Sequence, residues 1–181
     1  MNTILLIISL FTFSSSYSNN VSTQDAIKIN GLSLFSSKDN IIKTLGKPKV
    51  VFAPHYDCGW DDYDDVVYYV LKYDSVNFIG HKTSNYVIKD INFSPFLKYK
   101  ISYNGVNISS ETSLKSFLKI SGQSKHEILT RRNTPSSVLA IMNGPHQIIE
   151  VVHITDGKSD DSVYFYFVND KLCRYEYFTP C

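Results

Sequence analysis

The chain has 181 residues, with 18 Lys and Arg against 17 Asp and Glu, so its formal net charge is +1. A charge this balanced argues against a nucleic-acid-binding protein, which needs a basic surplus to meet the phosphate backbone. With 43% hydrophobic and 19% charged residues, the chain has enough apolar surface to fold. This excludes a disordered protein and predicts one domain, or two small ones that share a core.

Residues 1–18 have the pattern of a secretory signal peptide. Residues 4–13 form an apolar run that is too short to span a bilayer, since a spanning helix needs roughly 20 residues. Ser16 and Ser18 place small side chains three positions and one position before a cut after Ser18. No Lys or Arg precedes the run, and the alternative is a buried N-terminal strand or helix. We expect an exported protein, periplasmic or extracellular, whose mature chain lacks a membrane span and begins with a linker at 19–28.

The remainder of the chain contains two similar segments, 29–100 and 101–181. The pair Asn30-Gly31 in the first segment recurs as Asn104-Gly105 in the second, 74 residues later. Asn-Gly is the strongest short signal for a tight hairpin turn, and each copy continues with a short apolar-polar alternation. The pattern predicts a tandem repeat within one globular unit.

A short helix is predicted in each copy after the Asn-Gly turn. The first helix is capped by Ser37 and ends at Gly46, and the second is capped by Ser110 and ends at Gly122. Both are too short to be stable alone, so each must pack on something larger. The predicted apolar faces consist of Ile41, Ile42 and Leu45 in the first helix and Leu114, Phe117 and Leu118 in the second.

The densest polar segment of the chain follows the first helix. It holds the single Trp of the sequence among aspartates and a tyrosine: Trp60, Asp61, Asp62, Tyr63, Asp64 and Asp65. Trp and Tyr beside carboxylates are typical of protein-binding hot spots. We therefore predict that this segment contacts a partner protein. The alternatives are a solvated hairpin loop and a calcium site, although the residue spacing of an EF-hand is absent.

Runs rich in β-formers follow each helix, and short turn signals separate them. Because connections this short require antiparallel pairing, the sequence predicts an α+β fold. We expect two tandem repeats, each a short helical segment followed by an antiparallel meander, which form one curved sheet with helices on one face. The predicted strands are 49–52, 66–73, 75–80 and 86–93 in the first repeat and 127–131, 138–142, 147–154, 163–168 and 172–178 in the second.

Aromatic residues crowd the last two predicted strands. If one face of this part of the sheet is core, the opposite face presents Tyr164 and Tyr166 to solvent. Exposed aromatic patches commonly mark contact sites, so these two tyrosines are further candidates for partner binding. The alternative is cross-strand stacking that only stiffens the sheet.

The cysteines are odd in number: Cys58, Cys173 and Cys181. In an oxidising compartment this predicts one disulfide, and Cys173–Cys181 would tie down the C-terminal strand. A pairing that uses Cys58 would close a longer loop and is the alternative. Irregular spacing argues against zinc, and the same compartment argues against a thiol nucleophile at Cys58 with His55 as its base. We expect no catalytic residue, metal or cofactor.

The residues also resemble a known family. The helix end Leu45-Gly46-Lys47-Pro48, the antiparallel meander and the duplication over 29–181 look like the tandem fold of β-lactamase inhibitor proteins. They also resemble small exported bacterial domains built on the same unit. The resemblance implies a concave sheet, with helices behind it, that grips a partner protein. No inhibitory residue of that family can be placed on this sequence.

These features lead to one functional hypothesis and two rivals. We expect an exported, non-enzymatic protein-binding domain, such as an inhibitor or a toxin-immunity factor. The rivals are a small exported hydrolase with an unrecognised site and a structural protein of the cell envelope.

Export gives a direct test by mass. The protein recovered from outside the cytoplasm should begin at Asn19 or close to it, because Ser16 and Ser18 direct the cut. Intact-mass measurement of the purified protein checks this. Retention of Met1 on a cytoplasmic protein would contradict it and would also remove the reason to expect a disulfide.

Overall fold

The computed structural model describes residues 26–54, 67–82, 84–129, 133–140, 147–155 and 160–180. This part of the chain is mostly β-structure, with 47% strand and 16% helix. The strands are β1 Ile27–Ile29, β2 Leu32–Ser33, β3 Phe35–Ser36, β4 Val50–Phe52, β5 Tyr68–Lys72, β6 Val76–His81, β7 Tyr86–Asn92, β8 Ile101–Tyr103, β9 Val106–Ile108, β10 Glu127–Leu129, β11 Ile149–Thr155, β12 Ser162–Val168 and β13 Lys171–Phe178. The helices are α1 Lys38–Leu45, α2 Leu114–Ser121 and α3 Ser136–Leu139.

A small sheet with the order β2-β1-β8-β9 is built from two hairpins. Each hairpin turns at one of the Asn-Gly pairs, where both residues have positive φ, as this tight turn requires. The Asn30 amide donates to the Lys100 carbonyl over 2.8 Å, and the Asn104 amide donates to the Ala26 carbonyl over 2.8 Å. The two hairpins therefore hold one another in a reciprocal manner. Strand β1 begins inside the segment that the sequence assigned to a linker.

The large sheet contains two antiparallel meanders that meet at their last strands. Its order is β10-β11-β12-β13-β7-β6-β5-β4, and β3 pairs with an end of β7. We call β4–β7 the first meander and β10–β13 the second meander. Their junction is the antiparallel pairing of β13 with β7, in which Arg174 lies opposite Asn92, Tyr175 opposite Ile91 and Glu176 opposite Asp90. We call this pairing the seam.

The two longer helices are capped by serines. The Ser37 hydroxyl accepts the Asn40 amide, which confirms the predicted first cap. The second cap is Ser113, whose hydroxyl accepts the Ser116 amide, so the prediction of Ser110 was wrong. Both helices end at a glycine with positive φ, as predicted.

One predicted strand is helical instead. Residues 138–142 were expected to form a strand because of their apolar run, but Val138 and Leu139 belong to α3. Pro135 precedes this helix, and its carbonyl accepts the amides of Val138 and Leu139. Proline fixes a φ that suits the start of a helix, and this local signal prevailed over the apolar run.

The main core lies between the large sheet and a layer made of the small sheet with α1 and α2. Phe117 of α2 is fully buried at the centre of this layer. Its ring lies 4.3 Å from Phe165 of the large sheet and 5.3 Å from Tyr103 of the small sheet, measured between ring centroids. One side chain thus joins a helix and both sheets.

The α+β prediction was wrong, because the described chain is mainly β-structure. The error lies in the segments around the two Asn-Gly turns. The sequence predicts short lead-ins to helices there, whereas the two segments pair with each other through β1 and β8 into a second sheet. Much of the large sheet's apolar face is therefore covered by strands, and each of the two longer helices has only eight residues.

The central place of Phe117 can be tested by truncation. Phe117→Ala should lower the free energy of unfolding by about 3–5 kcal/mol, because it leaves a cavity between three elements. Phe96→Ala is the matched control and should change stability by less than about 0.5 kcal/mol, since Phe96 is 88% exposed. Urea denaturation measures both variants. Equal effects would contradict this account of the core.

Candidate functional site

The large sheet has a second face, opposite the main core, which we call the outer face. Along β12, Val163, Phe165 and Phe167 belong to the main core. Because side chains alternate along a strand, Tyr164 and Tyr166 point to the outer face. The strand pairing shows which other residues share this face. Tyr164 lies opposite His153 on one side and Glu176 on the other, and Glu176 lies opposite Asp90.

Two β-bulges lie next to the seam, each directly before a charged residue of the outer face. In β7 the pairing with β6 skips Lys89, and in β13 the pairing with β12 skips Cys173. A bulge adds one residue and breaks the alternation. Asp90 and Arg174 directly follow the bulges and lie on the outer face, since they alternate with Ile91 and Tyr175, which are buried in the main core.

Arg174 is the centre of a buried polar cluster at the seam. Its Nη1 donates to Asn92 Oδ1 over 2.6 Å, its Nη2 lies 3.7 Å from Asp90 Oδ2, and its Nε lies 3.5 Å from Glu176 Oε2. Asn77 Nδ2 donates to Asp90 Oδ1 over 2.9 Å. The side chains of Arg174 and Asp90 are only 10% and 7% exposed. Strands β13 and β7 of the seam and the neighbouring strand β6 thus contribute side chains to one network.

The network does not fully compensate the burial of its charges. Burial raises the pKa of Asp90 above its usual value, although Arg174 and the Asn77 hydrogen bond act to lower it. Arg174 Nε, Glu176 Oε2 and Asn77 Oδ1 are buried without a hydrogen-bond partner among the described residues. The cluster therefore has a cost in stability, which marks it as a candidate functional position.

Beside the cluster lies an exposed group of side chains on β11, β12 and β13. We call it the Tyr164 patch, and it consists of His153, Tyr164, Glu176 and Phe178. The His153 ring stacks on the Tyr164 ring with centroids 4.6 Å apart and an angle of 8° between planes. Phe178 meets Tyr164 edge to face at 5.8 Å. His153 is exposed and Phe178 is 46% exposed, so the patch offers aromatic surface to solvent.

Carboxylates surround this aromatic surface. Burial raises the pKa of the Tyr164 hydroxyl, and the nearby charges of Glu127 and Glu176 raise it further, against a hydrogen bond with Ser162 that lowers it. A third carboxylate, that of Asp161, lies on the core side of the sheet instead, where its Oδ2 accepts the Tyr177 hydroxyl over 2.8 Å. The Tyr164 patch is thus aromatic at its centre and acidic at its border.

Tyr166 differs from Tyr164 although both point to the outer face. Helix α3 covers this part of the face, and Tyr166 packs in a small second core with Val138, Ile149, Val151 and Cys173. Tyr166 is only 5% exposed. Of the two tyrosines predicted to bind a partner, only Tyr164 therefore reaches the surface of the described structure.

Cys173 has a free, buried thiol in this second core. Its Sγ donates to the Tyr166 carbonyl over 3.2 Å, and burial raises the pKa of the thiol to about 12. Such a thiol is inert at neutral pH. The predicted Cys173–Cys181 disulfide stays a prediction, because one of its two cysteines is not described. Cys58 and Cys181 lie outside the described residues.

The acidic segment and the signal peptide also lie outside the described residues. Trp60, Asp61, Asp62, Tyr63, Asp64 and Asp65 therefore remain predicted partner contacts. Sequence reasoning missed Arg174, Asp90 and Phe178. The sequence does contain a signal for Asp90 and Arg174. In Ile88-Lys89-Asp90-Ile91 and in Leu172-Cys173-Arg174-Tyr175, the first and last residues are core-forming and three positions apart, which indicates a bulge between them.

No protein-family model, curated protein or solved structure matches this chain. The resemblance to β-lactamase inhibitor proteins therefore stays a prediction. Within the described ranges, no helix has the length and apolar character needed to cross a membrane.

The buried cluster makes a prediction with a pH dependence. Arg174→Met should lower the free energy of unfolding at pH 7 by about 3–5 kcal/mol, since it leaves the Asp90 carboxylate buried without a counter-charge. Asp90 is protonated more readily than an ordinary aspartate in the folded state. The deficit should therefore shrink as pH falls through the raised pKa, because a neutral carboxyl group needs no counter-charge.

Two further variants make this test specific. Adding Asp90→Asn to Arg174→Met should recover part of the lost stability at pH 7, because the buried charge is removed. Lys171→Met is the matched control and should have little effect, since Lys171 and its partner Glu111 are 52% and 75% exposed. Chemical denaturation between pH 4 and pH 8 measures all four proteins. A deficit that neither Asp90→Asn nor low pH reduces would contradict the assignment.

Proposed function

We propose that this is an exported protein that binds another protein through the Tyr164 patch, without catalysing a reaction. The observation that carries the proposal is the exposure of stacked aromatic rings on the open part of a sheet face, next to buried charges. Aromatic anchors and desolvated charges are the typical composition of binding hot spots. A rigid sheet also loses little conformational entropy on binding.

The sheet face is preorganised by the contacts that surround it. Tyr164 is held between His153 and Tyr166, with ring centroids 4.6 Å and 6.2 Å away. Below it, the side chain of Phe165 is fully buried in the main core. A partner that docks here meets side chains whose rotamers are already fixed. This suits an inhibitor or a toxin-immunity factor, two roles that need a tight contact and no turnover.

Export supports the same proposal. The apolar run at 4–13 and the small residues Ser16 and Ser18 have the order found in secretory signal peptides. A partner would accordingly be met in the periplasm or outside the cell. The acidic segment around Trp60 would add a second contact region of similar chemistry.

Site-specific photocrosslinking can test the proposal in the producing cell. A photoreactive phenylalanine analogue at position 178 should give an adduct with a partner protein, whereas the same analogue at position 96 should not. Phe96 is the matched control because it is even more exposed than Phe178. The protein from the adduct is then purified and its affinity for the unmodified chain is measured.

Affinity measurements decide the result. Tyr164→Ala and Phe178→Ala should each weaken binding of the purified partner by about 30-fold, which corresponds to about 2 kcal/mol for a hot-spot residue. Phe96→Ala should leave the affinity unchanged. Thermal unfolding of each variant shows whether the fold persists. Normal affinity in folded Tyr164→Ala and Phe178→Ala variants would remove the patch from the binding site.

A further inference from the structure

We infer that the Tyr164 patch receives a basic side chain, arginine or lysine, from the partner protein. The cation would lie against the exposed ring of Phe178, with Glu176 and Glu127 as its counter-charges. This inference rests on the proposed function and names the chemistry of the contact.

Geometry brings an aromatic ring and a carboxylate together at this place. Glu176 and Phe178 are two residues apart on β13 and therefore point from the same face of the sheet. Tyr164 lies opposite Glu176 on β12 and contacts the Phe178 ring. An exposed ring beside a carboxylate binds a guanidinium or ammonium group by a cation–π contact and an ion pair at once.

The closest cation, Arg174, approaches Glu176 only from the buried side, where its Nε lies 3.5 Å from Glu176 Oε2. Arg174 is buried and already donates to Asn92, next to Asp90. The Glu176 side chain remains 29% exposed, and its inward oxygen has no hydrogen-bond partner among the described residues. A donor from outside the chain would therefore meet the exposed part of this side chain, and not the buried Oε2.

Other described charges strengthen the negative border. Glu127 lies on the outer face of β10, because it lies opposite Val151, which in turn lies opposite Tyr166 of the outer face. Its charge acts on the Tyr164 hydroxyl together with that of Glu176. Asp161 does not belong to this border, because its carboxylate accepts the hydroxyl of Tyr177, a side chain of the main core on the other side of the sheet. Glu127 and Glu176 thus both act at the Tyr164 ring, and a cation is the complementary ligand.

The basic groups of this face lie elsewhere. The cations that act on Asp90, apart from Arg174, are Lys89 and Lys72, and both belong to the first meander. Near the seam, the lysines that act on this face therefore belong to the first meander, whereas Glu127 and Glu176 belong to the second. A basic anchor is favoured beside Glu127 and Glu176 and disfavoured beside the two lysines.

Two small probes can test the contact directly on the full chain. Nα-acetyl-arginine amide should shift the NMR signals of the Phe178 and Tyr164 rings in a saturable manner at millimolar concentration. Nα-acetyl-citrulline amide has the same shape without the charge, and it should bind at least about fivefold more weakly. Equal binding of the two probes, or shifts confined to other residues, would overturn the inference.

Charge variants separate this inference from the proposed function. Glu176→Gln and Glu127→Gln should each weaken arginine-probe binding and partner affinity by about two- to fivefold, with smaller effects at high salt. Glu111→Gln, an exposed carboxylate away from the patch, is the matched control and should have no effect. Glu127→Gln keeps the test valid even if the Glu176 variant unfolds.

The combined results show whether a failure concerns only the basic anchor or also the proposed function. If Tyr164→Ala and Phe178→Ala abolish partner binding while both glutamine variants bind normally, the partner docks here without a basic anchor, and only this inference is wrong. If the aromatic variants also bind normally, the proposed function is wrong as well. Loss of affinity in both groups supports both statements.

Discussion

The large sheet is continuous across a single short seam, where three residues of β13 pair with three residues of β7. Backbone hydrogen bonds over so few residues provide limited stability, so side chains on both faces must contribute. On the core side, Tyr175 lies opposite Ile91, and both are fully buried. On the outer side, Arg174 contacts Asn92, Asp90 and Glu176 and so joins the two meanders. The position of the Tyr164 patch relative to β7 depends on this junction.

A buried ion pair is an expensive way to hold such a junction. Replacement of paired charges by apolar residues is often neutral or stabilising, because the charges no longer have to be removed from water. The raised pKa of Asp90 shows that burial outweighs its attractive contacts here. What the cluster gains is a defined register, since a shift of one residue would separate Arg174 from Asn92 and expose apolar side chains. It also keeps a fixed set of charges close to a candidate binding surface.

Local signals in the sequence predicted local structure well. The Asn-Gly turns, the Ser37 cap, both glycine helix ends and most strands follow from properties of a few neighbouring residues. Contacts between distant segments were not accessible in this way. The pairing of β1 with β8 is one example, and its omission led to the wrong fold class. The burial of Tyr166 is another, because alternation placed it correctly on the outer face but could not show that α3 covers it.

The two bulges have a consequence for the shape of the outer face. Lys89 and Cys173 occupy the same place in the two meanders, each as the extra residue directly before a charged one. Loss of either residue would restore simple alternation and leave Asp90 and Arg174 on the same face as before. It would, however, remove a local bend and part of the strand twist. The curvature of this surface can therefore change by a one-residue deletion at either bulge while Asp90 and Arg174 stay on it.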